Sequence, residues 1–187
     1  MSIPALNTDG VLPLGRHHVT LADVEARYVR DPQFAQSSSR VEIWDHFKTV
    51  TSELQKIVPV AYVWVSGSYI SNKQDPDDID VVYWCEDRHV SAIADPRDRM
   101  ILQMFATRAV RSTTGLRVDA GMAQWHVYPE AASGPSNEHL SYIQMRGFWD
   151  DFWLRRRSGP KGAPPVREDA LPRAGYLEMM LDGIHVV

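Results

Sequence analysis

Two short apolar runs with a charged stretch between them constrain this chain more than any other feature. VAYVWV (60–65) and IDVVYW (79–84) are each too short for a helix and are rich in β-branched and aromatic residues, so both are predicted to be buried strands. The joining segment, SGSYISNKQDPDD, passes through Gly67-Ser68 and ends in acids, and the second run carries Asp80 directly after Ile79. Carboxylates at such positions need a compensating partner.

Alternation along a strand sends Asp78 and Asp80 to one face and Ile79 and Val81 to the other. Two like charges a few ångströms apart must share a proton or be relieved by a cation. Magnesium suits the pair, because it takes hard carboxylate oxygens and completes its shell with water and substrate phosphates. A third carboxylate would admit two ions about 3.5–4 Å apart. Asp119 is the candidate: in LRVDAG, Arg117 and Asp119 share one side of a predicted strand. Gly67 lets backbone approach a ligand, Ser68 adds a hydroxyl, and Lys73 offers a point charge for a phosphate.

Elements around this centre follow from periodicity. The arm to His18 holds two prolines and two glycines and reads as an irregular strap. TLADVEARYV is a short helix, with Thr20 and Asp23 spaced for a capping box and Asp31-Pro32 closing it. After QSSSR, the residues Trp44, Phe47, Val50, Leu54, Ile57 and Val58 recur at helical spacing up to Pro59. Asp95-Pro96 starts a helix expected to run to Thr114, where Gly115 stops it. LRVDAGMAQWHVYP supplies one bent strand or two shorter ones, LSYIQMRGFWDDFWLRRR a helix, and YLEMMLDGIHVV a strand or a helix. The expected architecture is α/β (α+β): a small mixed sheet flanked by helices.

At 187 residues the chain fits one domain, 1–187, with a strap over 1–40, a core over about 41–128 and an extension over 129–187. A net charge of −4 gives no global basic field to draw in nucleic acid without sequence preference. The single cysteine, Cys85, excludes an intramolecular disulfide and reads as a small hydrophobe in a reducing compartment. No run approaches the ~20 apolar residues of a membrane span, and no secretory leader is legible, so a cytoplasmic location is expected.

VWVSGSYISNKQDPDDIDVVYW resembles the signature of the DNA polymerase β-like nucleotidyltransferase superfamily, and looks closest to its small bacterial and phage members. The likeness spans roughly 41–128 and implies a polymerase β palm-like nucleotidyltransferase fold. It implies that Gly67 and Ser68 contact nucleotide phosphates, that Asp78 and Asp80 bind metal ions, and that Asp119 helps deprotonate an acceptor hydroxyl. Minimal members of toxin-antitoxin pairs usually have Ala-Arg-Gly after Gly-Ser-x; here the chain reads Ile70-Ser71-Asn72, and Lys73 is the candidate replacement for the arginine.

The leading expectation is therefore a magnesium-dependent transferase, with two ions, that moves a nucleoside monophosphate from an NTP, ATP favoured, to a hydroxyl on a protein, a tRNA or a small molecule. A toxin-antitoxin or phage-defence setting, with a toxin or antitoxin as partner, goes with that resemblance. The alternative is a catalytically degenerate binding module or antitoxin, and a third class is a phosphohydrolase. Two features carry double readings. In RRRSGPKG, Lys161 or an arginine reaches phosphate, or else the cations simply complement a helix C-terminus. Phe148, Trp149, Phe152 and Trp153 stack on a base, or else pack as core or partner surface.

Overall fold

A computed structural model describes residues 3–129, 134–160 and 162–184. Both runs flanking the Gly-Ser segment are strands, β2 (Val60–Ser66) and β3 (Ile79–Glu86), paired antiparallel with Ser66 opposite Asp80. β4 (Val118–Trp125) lies parallel to β3, and β5 (Gly175–Met180) lies antiparallel to β2 on its other side. β1 (Gly15–Val19) closes the sheet parallel to β5, giving the order β1-β5-β2-β3-β4.

This is the mixed sheet flanked by helices that the pattern predicted, with two departures. The strap is not irregular throughout: Gly15–Val19 is an edge strand whose partner, β5, lies at the far end of the chain. For the same reason the C-terminal segment is not an appendage to the core, because β5 sits inside the sheet between β1 and β2. Gly175 permits the close approach, since a Cβ there would lie 2.1 Å from the Pro13 carbonyl oxygen.

Helices cover both faces. α1 (Leu21–Tyr28) begins with the expected capping box between Thr20 and Asp23. α2 (Arg40–Gln55) buries Ile43, Trp44, Phe47, Val50 and Leu54, and its Thr51 hydroxyl meets Tyr83 of β3 at 2.8 Å. α3 (Asp87–Ala92), which periodicity did not reveal, follows β3 directly. The predicted helix from Asp95 is two helices, α4 (Pro96–Ala106) and α5 (Val110–Thr114), separated where Arg108 adopts a left-handed φ of 56°. α6 (Asn137–Leu154) covers the opposite face, where its Trp153 meets Trp64 and its Tyr142 meets Trp84. Among the described residues no helix is long and apolar enough to cross a membrane. Cys85 is fully buried and its thiol is pushed up to about 12 by that burial, in keeping with an inert hydrophobe.

Candidate functional site

The parallel register of β3 and β4 sets Asp80 opposite Asp119, and alternation sends both side chains to the face that α6 covers. Burial, and next the charge of Asp119, pushes the Asp80 carboxyl up to about 6, with Arg108 opposing. Gly67, directly after β2, has φ 81°, and a Cβ there would lie 1.8 Å from Asp80 Oδ2. The glycine is therefore required twice, by its backbone and by the carboxylate beside it.

Two arginines meet the neighbouring acids. Arg108 donates from Nε at 3.1 Å and from Nη2 at 2.6 Å to the two oxygens of Asp119, while its guanidinium lies 5.6 Å from the ring of Trp149. Arg111 pairs with Asp78, which immediately precedes β3. The break between α4 and α5 delivers both cations, so the expected continuous helix is replaced by a feature that serves the site. Among the described residues no three His, Cys, Asp or Glu side chains form a ready metal cage. Asp80 and Asp119 nevertheless fit a divalent cation: they are hard oxygen donors in register, and their repulsion adds to the burial that raises the Asp80 carboxyl.

Asp78 and Asp80 border a two-lobed cleft, whose lining does not include Asp119. The larger lobe, about 690 Å³, is lined by Ser68, Ser71, Lys73, Asp78 and Asp80 and also by Arg155, Arg156 and Arg157. The smaller, about 400 Å³, shares Ser66, Gly67, Asp80 and the three arginines. Of the two readings of the basic run, its arginines thus line the cleft. They are partly engaged: Arg155 pairs with Asp151, Arg156 donates to the Asp9 carbonyl at 3.1 Å, and Arg157 lies 3.9 Å from Asp169. Lys73 lines the same lobe and reaches Asp77 at 3.3 Å. Lys161 lies outside the described residues. Trp149 and Trp153 are core, whereas Phe148 and Phe152 remain exposed.

A family model, that of the family of unknown function DUF6932, matches residues 4–167. The chain belongs to that family. No curated protein and no solved structure matches it. The matched stretch of this DUF6932 chain carries Gly67, the three acids and the three arginines, and ends before β5.

One residue that holds the DUF6932 cleft together escaped the sequence pattern. Arg40 is 1% exposed, and its guanidinium donates to the carbonyls of Tyr69 at 2.7 Å, Ser71 at 3.0 Å and Lys73 at 2.6 Å, with a longer contact to Tyr28 at 3.4 Å. It lies 3.7 Å from the centre of the Phe34 ring. Burial pulls its pKa down to about 10. The loop from Gly67 to Lys73 is therefore clamped from beneath, by an arginine read at first as the end of a polar linker. Helical spacing to Ile43, Trp44 and Phe47 is the signal that would have found it, since that spacing puts residue 40 on the buried stripe. The loop's far end is fixed by Asp75, whose Oδ1 accepts from Ser38 N at 2.7 Å, and the strap crosses over it where Asn72 N donates to Gly10 O at 2.9 Å.

The paired histidines hold structure. His17 Nε2 meets Pro13 O at 2.8 Å, and His18 meets Glu178 at 2.7 Å.

Proposed function

We propose that this protein is a nucleotidyltransferase with a palm-like fold, binding a magnesium–nucleoside triphosphate and transferring the nucleoside monophosphate to an acceptor hydroxyl. One observation carries the reading: Asp80, in register with Asp119 and with the Gly67 backbone against it, lines one cleft together with three arginines. Acids that want a divalent cation and cations that want phosphate belong together only where a metal-bound polyphosphate sits between them.

Asp80 and Asp119, with Asp78 once it leaves Arg111, are the residues to hold magnesium, which supplies charge neutralisation of the phosphates. Ser68 and Lys73 contact phosphate oxygens from the loop clamped by Arg40, and Arg155 to Arg157, which line the same cleft, contact them as well. Asp119 takes the proton of the acceptor hydroxyl as the new P–O bond forms and pyrophosphate leaves with the electron pair of the old one. ATP is the favoured donor. The acceptor class is a protein, tRNA or small molecule, and the setting toxin-antitoxin or phage defence.

The test is incubation with magnesium and labelled NTPs beside Asp78→Asn and Asp80→Asn controls. Label transfer, or magnesium-dependent nucleotide binding, in the wild type alone supports the reading; no magnesium-dependent binding in the wild type defeats it.

A second reading rests on a specific observation. Arg108 and Arg111 already neutralise Asp119 and Asp78, and Ile70-Ser71-Asn72 stands where the minimal members carry an arginine. This fits a degenerate module that acts by binding a partner. In that case Asp78→Asn leaves the biological effect intact.

A further inference from the structure

The two lobes of the cleft differ in chemistry. The larger holds the acids, serines and Lys73 described above. The smaller shares Gly67, Asp80, Trp153 and the three arginines with the larger, and adds Phe152, Pro165, Val166 and Ala170 beside Asp169. Trp153 belongs to the core, but two of its apolar neighbours in the lobe are open to solvent: Phe152 is 48% and Val166 50% exposed. A ligand spanning both lobes is therefore anionic at one end and apolar at the other.

The shape of the apolar end is set by what faces it. Phe152 lies parallel to Phe148, with ring centroids 5.9 Å apart and planes 6° apart, one helical turn away on α6. The segment from Pro165 to Ala170, which lines the same lobe, is held in place by Asp169. That carboxylate accepts from Ser158 N and Ser158 Oγ at 2.7 Å each and from Val166 N at 3.0 Å. A fixed apolar segment and an oriented phenyl ring lining one lobe suit a flat aromatic ring system, which gains stacking at little entropic cost.

We infer that the smaller lobe is the subsite for the heteroaromatic base of a nucleotide whose phosphates occupy the larger lobe, with Phe152 as stacking surface and Val166 as part of the apolar lining. The inference rests on the proposed nucleotide-binding reading and assigns the donor's base, rather than the acceptor, to this lobe. The arginines shared by both lobes then stand beside the α-phosphate end, where base and phosphates meet.

Calorimetric titration with ATP and with inorganic tripolyphosphate, both with magnesium, separates the two ideas. The proteins compared are wild type, Phe152→Ala, and Val166→Trp, which fills the lobe; both positions are exposed, and circular dichroism checks the fold of each variant. The expected result is that wild type binds both ligands and prefers ATP by roughly tenfold or more, in line with the worth of one base stack. Each variant should then lose that preference while keeping its affinity for tripolyphosphate. If wild type binds both ligands but neither variant changes the preference, or if both variants weaken the two ligands alike, the base subsite is wrong and the phosphate reading stands. If wild type binds neither ligand, the nucleotide reading falls and takes the subsite with it.

Discussion

The Cβ that Gly67 lacks would sit 1.8 Å from Oδ2 of Asp80. An alanine at 67 must push that carboxylate aside and also hold a φ of 81°, a conformation that costs a non-glycine residue about 1–3 kcal/mol. Gly67→Ala is expected to fold with a lowered melting temperature and to lose magnesium-dependent nucleotide binding by at least roughly tenfold, about 1.4 kcal/mol. Thermal melts and nucleotide titration on one preparation check both halves. Unchanged affinity would mean that Asp80 does not face the ligand.

Asp80 makes stability depend on pH in the direction opposite to a salt-bridged acid. Its native carboxyl titrates at about 6, above the ordinary 3.8, so between these values the folded protein holds a proton that the unfolded chain has released. The stabilisation from that proton is complete below about pH 4 and is lost as pH rises through 6. Asp80→Asn keeps the neutral form at every pH and should therefore exceed wild type in stability by roughly 1–3 kcal/mol at pH 8, converging with it near pH 4. Urea titrations at both pH values measure the difference. Magnesium should raise the melting temperature of wild type, more at pH 8 than at pH 5, and leave Asp80→Asn unmoved.

Arg40 is fully enclosed and satisfies carbonyls that have little other recourse to a donor. Arg40→Met removes the donors and leaves the buried Tyr69 oxygen without this partner, with an expected loss of about 3 kcal/mol. Lysine keeps the charge but cannot fork to several carbonyls, so Arg40→Lys should recover only part of that loss. Hydrogen exchange should locate the residual damage in the loop 67–74 rather than in α2 or β2. Uniform loosening of the whole domain would contradict a local clamp.

The last strand is interior to the sheet. Ending the chain before Gly175 exposes the pairing edges of both β1 and β2, and strips away the buried side chains of Tyr176, Leu177 and Met179. A chain truncated after Ala174 is expected to be insoluble, whereas one truncated after Gly183 should be soluble and melt near wild type. Expression of the two lengths side by side decides this.

The sequence by itself determined the parts whose physics is local. The capping box at Thr20 and Asp23, the stripe of α2 and the Asp95 cap rest on contacts a few residues apart, and the composition of β2 and β3 marks each run as a strand, so the sequence reveals these directly. The acids 78, 80 and 119 were legible too, because a charge inside an apolar run stands out whatever the fold. Tertiary structure alone decided that 80 and 119 lie in register, that β1 and β5 complete the sheet, and that Arg108 and Arg111 reach the acids from a broken helix. It also turned Arg40 from polar punctuation into a buried clamp on the loop, and the run 155–157 into part of the cleft lining. Such arrangements depend on contacts between segments far apart in the chain, where loop length and strand pairing compete over the whole molecule and no periodicity records the outcome.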